Sequence, residues 1–108
     1  TEIYTLSLHD ALPISPGLEE ELRFAQACAI HWRSAATQAR WIAHRDAPNP
    51  DPAAARALLL AELSLARRLH RLQSEDSRIG FEASNHYFYV PLDLVEKAIN
   101  CRWLLRGG

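Results

Sequence analysis

Between Leu18 and Ala43 apolar side chains recur in steps of four and three: Leu18, Leu22, Ala25, Ala29, Trp32, Ala36, Ala39 and Ala43. An unbroken row at that spacing lies along one side of an α-helix and at heptad spacing. It predicts a long first helix with a narrow seam. Most of the seam residues are small, so a partner helix could approach closely, with Trp32 filling the middle. Pro16 and Gly17 precede the row, and Glu19, Glu20 and Glu21 crowd its first turn, where negative charge suits the helix dipole. Asp46-Ala47-Pro48-Asn49-Pro50-Asp51 ends it, because two prolines forbid continuation.

Asp51 followed by Pro52 is an N-cap with proline at the first helical position. A second helix is predicted from about Pro52 to Gln73. Its stripe is Ala55, Leu58, Glu62, Leu65, Leu69 and Leu72, widened by Leu59, Leu63 and Ala66. So short a linker between two long helices makes an antiparallel hairpin the default. Ser74 to Val90 then loses the helical period and gathers Gly80, Phe81, Tyr87, Phe88 and Tyr89. A connection of that length reads as an ordered, aromatic-rich loop, with a short extended piece at His86–Val90 as an alternative. Pro91 opens a third helix to about Leu105, although Val90 stands where a capping Ser or Thr is expected. Its inward row is Leu94, Ala98, Cys101 and Leu105, flanked by Val95, Ile99 and Trp103. The fold class is all-α: an antiparallel helical hairpin plus a third helix.

The composition excludes several function classes. Setting aside the acids Glu2 and Asp10 of the first fifteen residues leaves eleven acids against twelve bases, a formal charge of +1. That balance gives no electrostatic footprint for nucleic acid or for a charged membrane surface. The longest apolar run, Ala57 to Ala61, is far shorter than the roughly 20 residues of a membrane span. Cys28 and Cys101 make neither a disulfide framework nor a metal site, and both are expected to be buried core thiols. His31, His44, His70 and His86 form no i, i+4 pair and no H-E-x-x-H. No metal, cofactor or catalytic set is expected. Trp32, Trp41 and Trp103 read as core.

Two features could carry binding chemistry. Glu62 occupies a seam position between Leu58 and Leu65, where an unpaired buried charge is expensive. Arg33, His31, Gln38 and Arg40 are its candidate partners, either in a helix-pinning ion pair or in a polar pocket between helices. The second feature is Glu82, Asn85, His86 and Tyr87. Within six residues they supply an acid, an amide, an imidazole and a phenol, which can hydrogen-bond sugar hydroxyls while rings stack on a sugar face. The same residues could equally clamp the loop to the hairpin.

Thr1 to Ser15, TEIYTLSLHDALPIS, resembles the conceptual translation of a short-read sequencing adapter. In one frame the adapter gives Thr1 through Ile14 without a mismatch, and its last base opens a serine codon, as at Ser15. The resemblance implies a non-native leader over 1–15 and a C-terminal fragment of a larger protein over 16–108. Such segments are excluded from fold reasoning. The run ALLLAELSLARRLHRLQSEDSRIGFEASNHYFYVPLDLVEKAINCRWLL resembles the C-terminal helical segment of uncharacterised bacterial glycoside-hydrolase-like proteins. The matching parts are AELSLARRL with Glu62, DSRIGFEASNHYFY and DLVEKAINC; His31-Trp32-Arg33-Ser34 matches more loosely. The resemblance implies a parent that acts on carbohydrate, with this piece as its non-catalytic helical tail. The implied partners are the upstream domain of the same chain and a carbohydrate. A small helical protein-interaction module is the rival expectation.

Overall fold

The computed structural model describes residues 16–82, 87–88 and 91–107. Three helices carry the fold, in the order α1 (Pro16–Arg45), α2 (Pro52–Glu75) and α3 (Pro91–Leu105). Two-residue strands β1 (Phe81–Glu82) and β2 (Tyr87–Phe88) lie between α2 and α3. They form one antiparallel ladder, with Phe81 opposite Phe88 and Glu82 opposite Tyr87. Asn85, His86 and the other residues between these strands lie outside the described residues. Thr1 to Ser15, expected above to be a leader, lie outside them too.

Each boundary has a local cause. Backbone groups in the last turn of α1 bond into the linker, Asp46 N–H to Ile42 and Ala47 N–H to His44. The proline pair of the linker then stops the helix. Asp51 is extended (φ −96°, ψ 114°), and its side chain accepts the Ala53 N–H at 3.0 Å, the N-cap the sequence announces. His44 Nε2 lies 2.8 Å from Asp51 N, closing the linker onto the end of α1. At the far end of α2, Asp76 is extended and its N–H bonds back to Leu72. Its carboxylate then grips Arg78 at Nε (2.9 Å), Nη2 (2.7 Å) and the backbone N–H (3.0 Å). The Arg78 side chain, and next its backbone N–H, hold the Asp76 carboxyl down at about 2. Arg78 also lies over the Phe24 ring at 5.2 Å and 3.5 Å from Glu20, so this turn is tied to α1. Gly80 turns the chain into β1 at φ 90°, a conformation that side chains with a Cβ rarely adopt.

α2 packs against both α1 and α3. Its Leu65, Ala66, Leu69 and Leu72 form the middle of the core, with Ala27 and Ile30 from α1, Ile79 from the turn and Leu94 from α3. Removing a Leu or Ile side chain of this kind from water contributes about 1.5–3 kcal/mol. The α2 stripe follows the sequence expectation, and so do Leu94 and Cys101 on α3.

The α1 seam is corrected. Its buried row is Ala27, Ile30, Ser34 and Thr37, whereas Ala25, Ala29, Ala36, Ala39 and Ala43 are exposed and Trp32 is 78% exposed. Alanine occurs on every side of α1, so a row of alanines carries almost no information about which side is buried. Ser34 and Thr37 are polar by composition, yet they face the partner helix. Three further expectations change. Trp103 is 61% exposed, Trp41 is half-buried, and Cys28 is exposed while Cys101 is buried; both thiols are free.

Candidate functional site

Glu62 is the most buried charge on α2, only 6% exposed, and it meets three side chains from the two flanking helices. Lys97 of α3 places Nζ 2.6 Å from Glu62 Oε1. The Ser34 hydroxyl of α1 donates to the same oxygen at 2.5 Å. Gln38, one turn further along α1, donates to Ser34 Oγ at 2.9 Å and lies 3.5 Å from Glu62 Oε1. Lys97 also donates to Ser34 Oγ at 3.0 Å. Ser34 is therefore saturated: its single O–H goes to Glu62, and its two lone pairs accept from Gln38 and Lys97. Glu62 is not. Its Oε2 is buried and, among the described residues, meets no hydrogen-bond partner.

The position of this cluster follows from the helical spacing. Glu62 interrupts the apolar row of α2 between Leu58 and Leu65. Lys97 interrupts that of α3, three residues after Leu94 and four before Cys101. Two opposite charges, each placed in an apolar stripe, meet where the stripes face one another. Lys97 is the chain's one lysine, and its flexible four-carbon stem lets the ammonium reach both Glu62 on α2 and Ser34 on α1. A buried pair of this kind adds little net stability but is costly to break from one side.

The cluster shapes the titration of its neighbours. Burial, and after it the Lys97 charge, lowers the His31 imidazole below its ordinary 6.5. Burial, and after it the Glu62 charge, raises the Cys101 thiol, with Lys97 opposing. At neutral pH His31 is therefore an uncharged ring and Cys101 a protonated thiol, a poor nucleophile. Among the described residues no group of three His, Cys, Asp or Glu side chains is placed to hold a metal ion. None of the described helices is long and apolar enough to cross a membrane.

Two clefts open on either side of the cluster, and Gln38, Glu62 and Lys97 line both. The larger, about 500 Å³, runs toward the α1–α2 linker and is bounded by residues of all three helices, among them Trp41, Leu58 and Leu104. The smaller, about 350 Å³, holds His31, Ser34 and Leu94.

Of the sequence candidates, Glu62 sits at the centre of the cluster. Gln38 joins it and His31 lies in the adjacent cleft. Arg33 lies in a different groove, with Trp32, Arg40 and Arg68, rather than beside Glu62. Ser34 and Lys97 are the partners that sequence reasoning missed. For Lys97 the available signal was its place inside an otherwise apolar row. Of the second candidate set, Glu82 and Tyr87 are described only as facing ladder positions, and Asn85 and His86 lie outside the described residues.

Fold and site together define an all-helical, three-helix unit whose helices share a half-buried Glu62–Lys97 ion pair beside an apolar core. No family model matches the chain, and no curated protein or solved structure matches it either.

Proposed function

We propose that this unit is a non-catalytic C-terminal segment of a larger bacterial carbohydrate-active enzyme of glycoside-hydrolase-like type, packed against a domain upstream in the same chain. The observation that carries the packing role is a row on the outer side of α3. Leu92, Val95, Ile99 and Trp103 recur at steps of three and four, and all four are exposed. Single exposed apolar residues are ordinary, but a contiguous row marks a surface that something covers. The glycoside-hydrolase-like character of the parent rests on the resemblance of the run from Ala57 to Leu105. The carbohydrate contact in this reading falls to Glu82, Asn85, His86 and Tyr87, on the chemistry of their residue types alone.

The rival reading is a small protein-interaction module. Such a module would bury its seams and leave one compact patch. Here a second open face, with Trp32 at its middle, lies along α1 apart from the α3 row, which favours the segment reading.

The deciding experiment extends the gene upstream of the Pro16 codon from genomic DNA and compares the longer protein with the 108-residue chain. Amide exchange over residues 91–105 is expected to slow in the longer protein. The longer protein alone should hydrolyse an aryl glycoside from a standard panel. Unchanged exchange in α3 overturns the packing role, and an inactive longer protein across the panel overturns the carbohydrate assignment.

A further inference from the structure

The groove that holds Arg33 lies between α1 and α2, and it shares no charged residue with the two clefts beside the ion pair. Its volume, about 560 Å³, lies in the range of small-molecule sites. Its charged lining is wholly cationic: Arg33 and Arg40 from α1, with Arg68 from α2. Arg68 has a partner of its own and is set aside. Arg33 and Arg40 stand in no ion pair with a described residue. Seven residues are two helical turns, so both lie on one side of α1, their Cα atoms about 10 Å apart along the axis. The other flank of α2 repeats the pattern. The groove toward α3 is lined by Arg67 and Arg102 and by no carboxylate, and Arg71 is exposed between the two grooves. Glu62, Asp93 and Glu96 line the larger cleft instead. The near-balance of charge in the whole chain thus conceals a cationic side to the bundle.

Trp32 is the second observation. Its side chain is exposed, and no described cation lies over its ring, whereas Arg45 covers Trp41 and Arg78 covers Phe24. Ala36, Ala61 and Ser64, all short, line the same groove, so a ring can lie against the indole without displacing a large side chain.

An uncovered indole beside two unpaired guanidiniums suits a ligand with an apolar ring face and carboxylates at its edge. A sugar ring presents C–H groups on one face, and a uronic acid adds a carboxylate that arginine grips with two parallel bonds. Single-stranded nucleic acid stacks successive bases on successive aromatic rings, and among the described residues of this groove there is one. An anionic membrane takes a helix through a broad apolar face, whereas the large aliphatic side chain here, Leu65, is buried.

We propose that the α1–α2 groove binds a segment of an acidic saccharide, one sugar ring stacked on Trp32 and its uronate carboxylates held by Arg33 and Arg40. This site rests on the carbohydrate reading above and makes the glycan a polyanion. Binding needs no covalent step and no metal.

Tetragalacturonate is the probe. Its fully methyl-esterified form is the neutral counterpart, and an oligothymidylate of equal charge is the nucleic-acid counterpart. Each is titrated into the 108-residue chain and followed by the indole N–H signals in nitrogen-edited proton NMR, where Trp32→Phe identifies the Trp32 signal. Tetragalacturonate is expected to shift that signal saturably, in the millimolar range or below, and to leave those of Trp41 and Trp103 in place. The ester and the oligothymidylate should each bind roughly tenfold more weakly, the worth of one charge-assisted bond. Added salt should weaken tetragalacturonate binding. Trp32→Ala and Arg40→Gln alter exposed side chains and keep the fold. Each should weaken binding severalfold, read from the amide signals of Ala36 and Ala61. No saturable shift of Trp32, equal affinity for the ester or the oligothymidylate, or affinity that survives both substitutions overturns the proposal. Aryl glycoside hydrolysis by the longer protein is read separately. Hydrolysis without binding here removes this site alone, and binding here without hydrolysis keeps the site and removes the catalytic parent.

Discussion

Lys97 is shared by an acid on α2 and a hydroxyl on α1, and each of the three groups would be left with an unmet charge or lone pair without the others. The energetic consequence is non-additive. Glu62→Ala takes from the partly buried Lys97 ammonium its 2.6 Å contact with the Glu62 carboxylate, and Lys97→Met takes the same contact from the buried Glu62. Each single change is expected to cost about 2–3 kcal/mol in urea unfolding. The double variant Glu62→Met/Lys97→Met removes both charges and should cost less than either single change. A double variant that merely adds the two losses would show that the pair is solvated. His31 adds a pH dependence. Its pKa is lowered in the fold, so the unfolded chain takes up a proton more readily. Stability is therefore full above the ordinary 6.5 and declines as pH falls below it. The unfolding midpoint should fall between pH 7 and pH 5, and His31→Gln should flatten that part of the curve.

At the scale of the elements, α2 was legible because leucine reports burial. Leu65, Leu69 and Leu72 face inward as their spacing requires, with Glu62 in the same stripe. The Asp51 cap of α2 and the start of α3 at Pro91 were legible as well, since proline and aspartate act locally. The orientation of α1 was not. Its alanines fit any side, and the side that faces α2 carries Ser34 and Thr37, polar residues whose value depends on Glu62 and Lys97 elsewhere in the chain. No spacing rule within one helix reveals such a partner. The two readings of α1 are separated by substitution. Ile30→Ala removes a side chain only 2% exposed and should cost about 2–4 kcal/mol, while Trp32→Ala should stay within about 0.5 kcal/mol. Thermal or urea unfolding of the two variants reverses that order if the alanine row is the true seam.

The molecule as a whole is organised around α2. It carries the middle of the core, and α1 and α3 each pack on it. The Lys97–Ser34 bond then joins the two outer helices across the top of Glu62. Among the described residues, the Asp76–Arg78–Glu20 chain fastens the first turns of α1 to the end of α2. If residues 1–15 are not part of the folded unit, deleting them should leave the thermal midpoint nearly unchanged; a fall of several degrees would mean that they pack on the bundle.

The solitary lysine also gives the chain an unusual experimental property. A protease that cuts only after lysine has a single target among these 108 residues, and that target is fastened into the middle of α3 by its own ammonium. Cleavage there requires α3 to come away from its neighbours, so the rate of one proteolytic cut becomes a direct clock for the opening of the bundle.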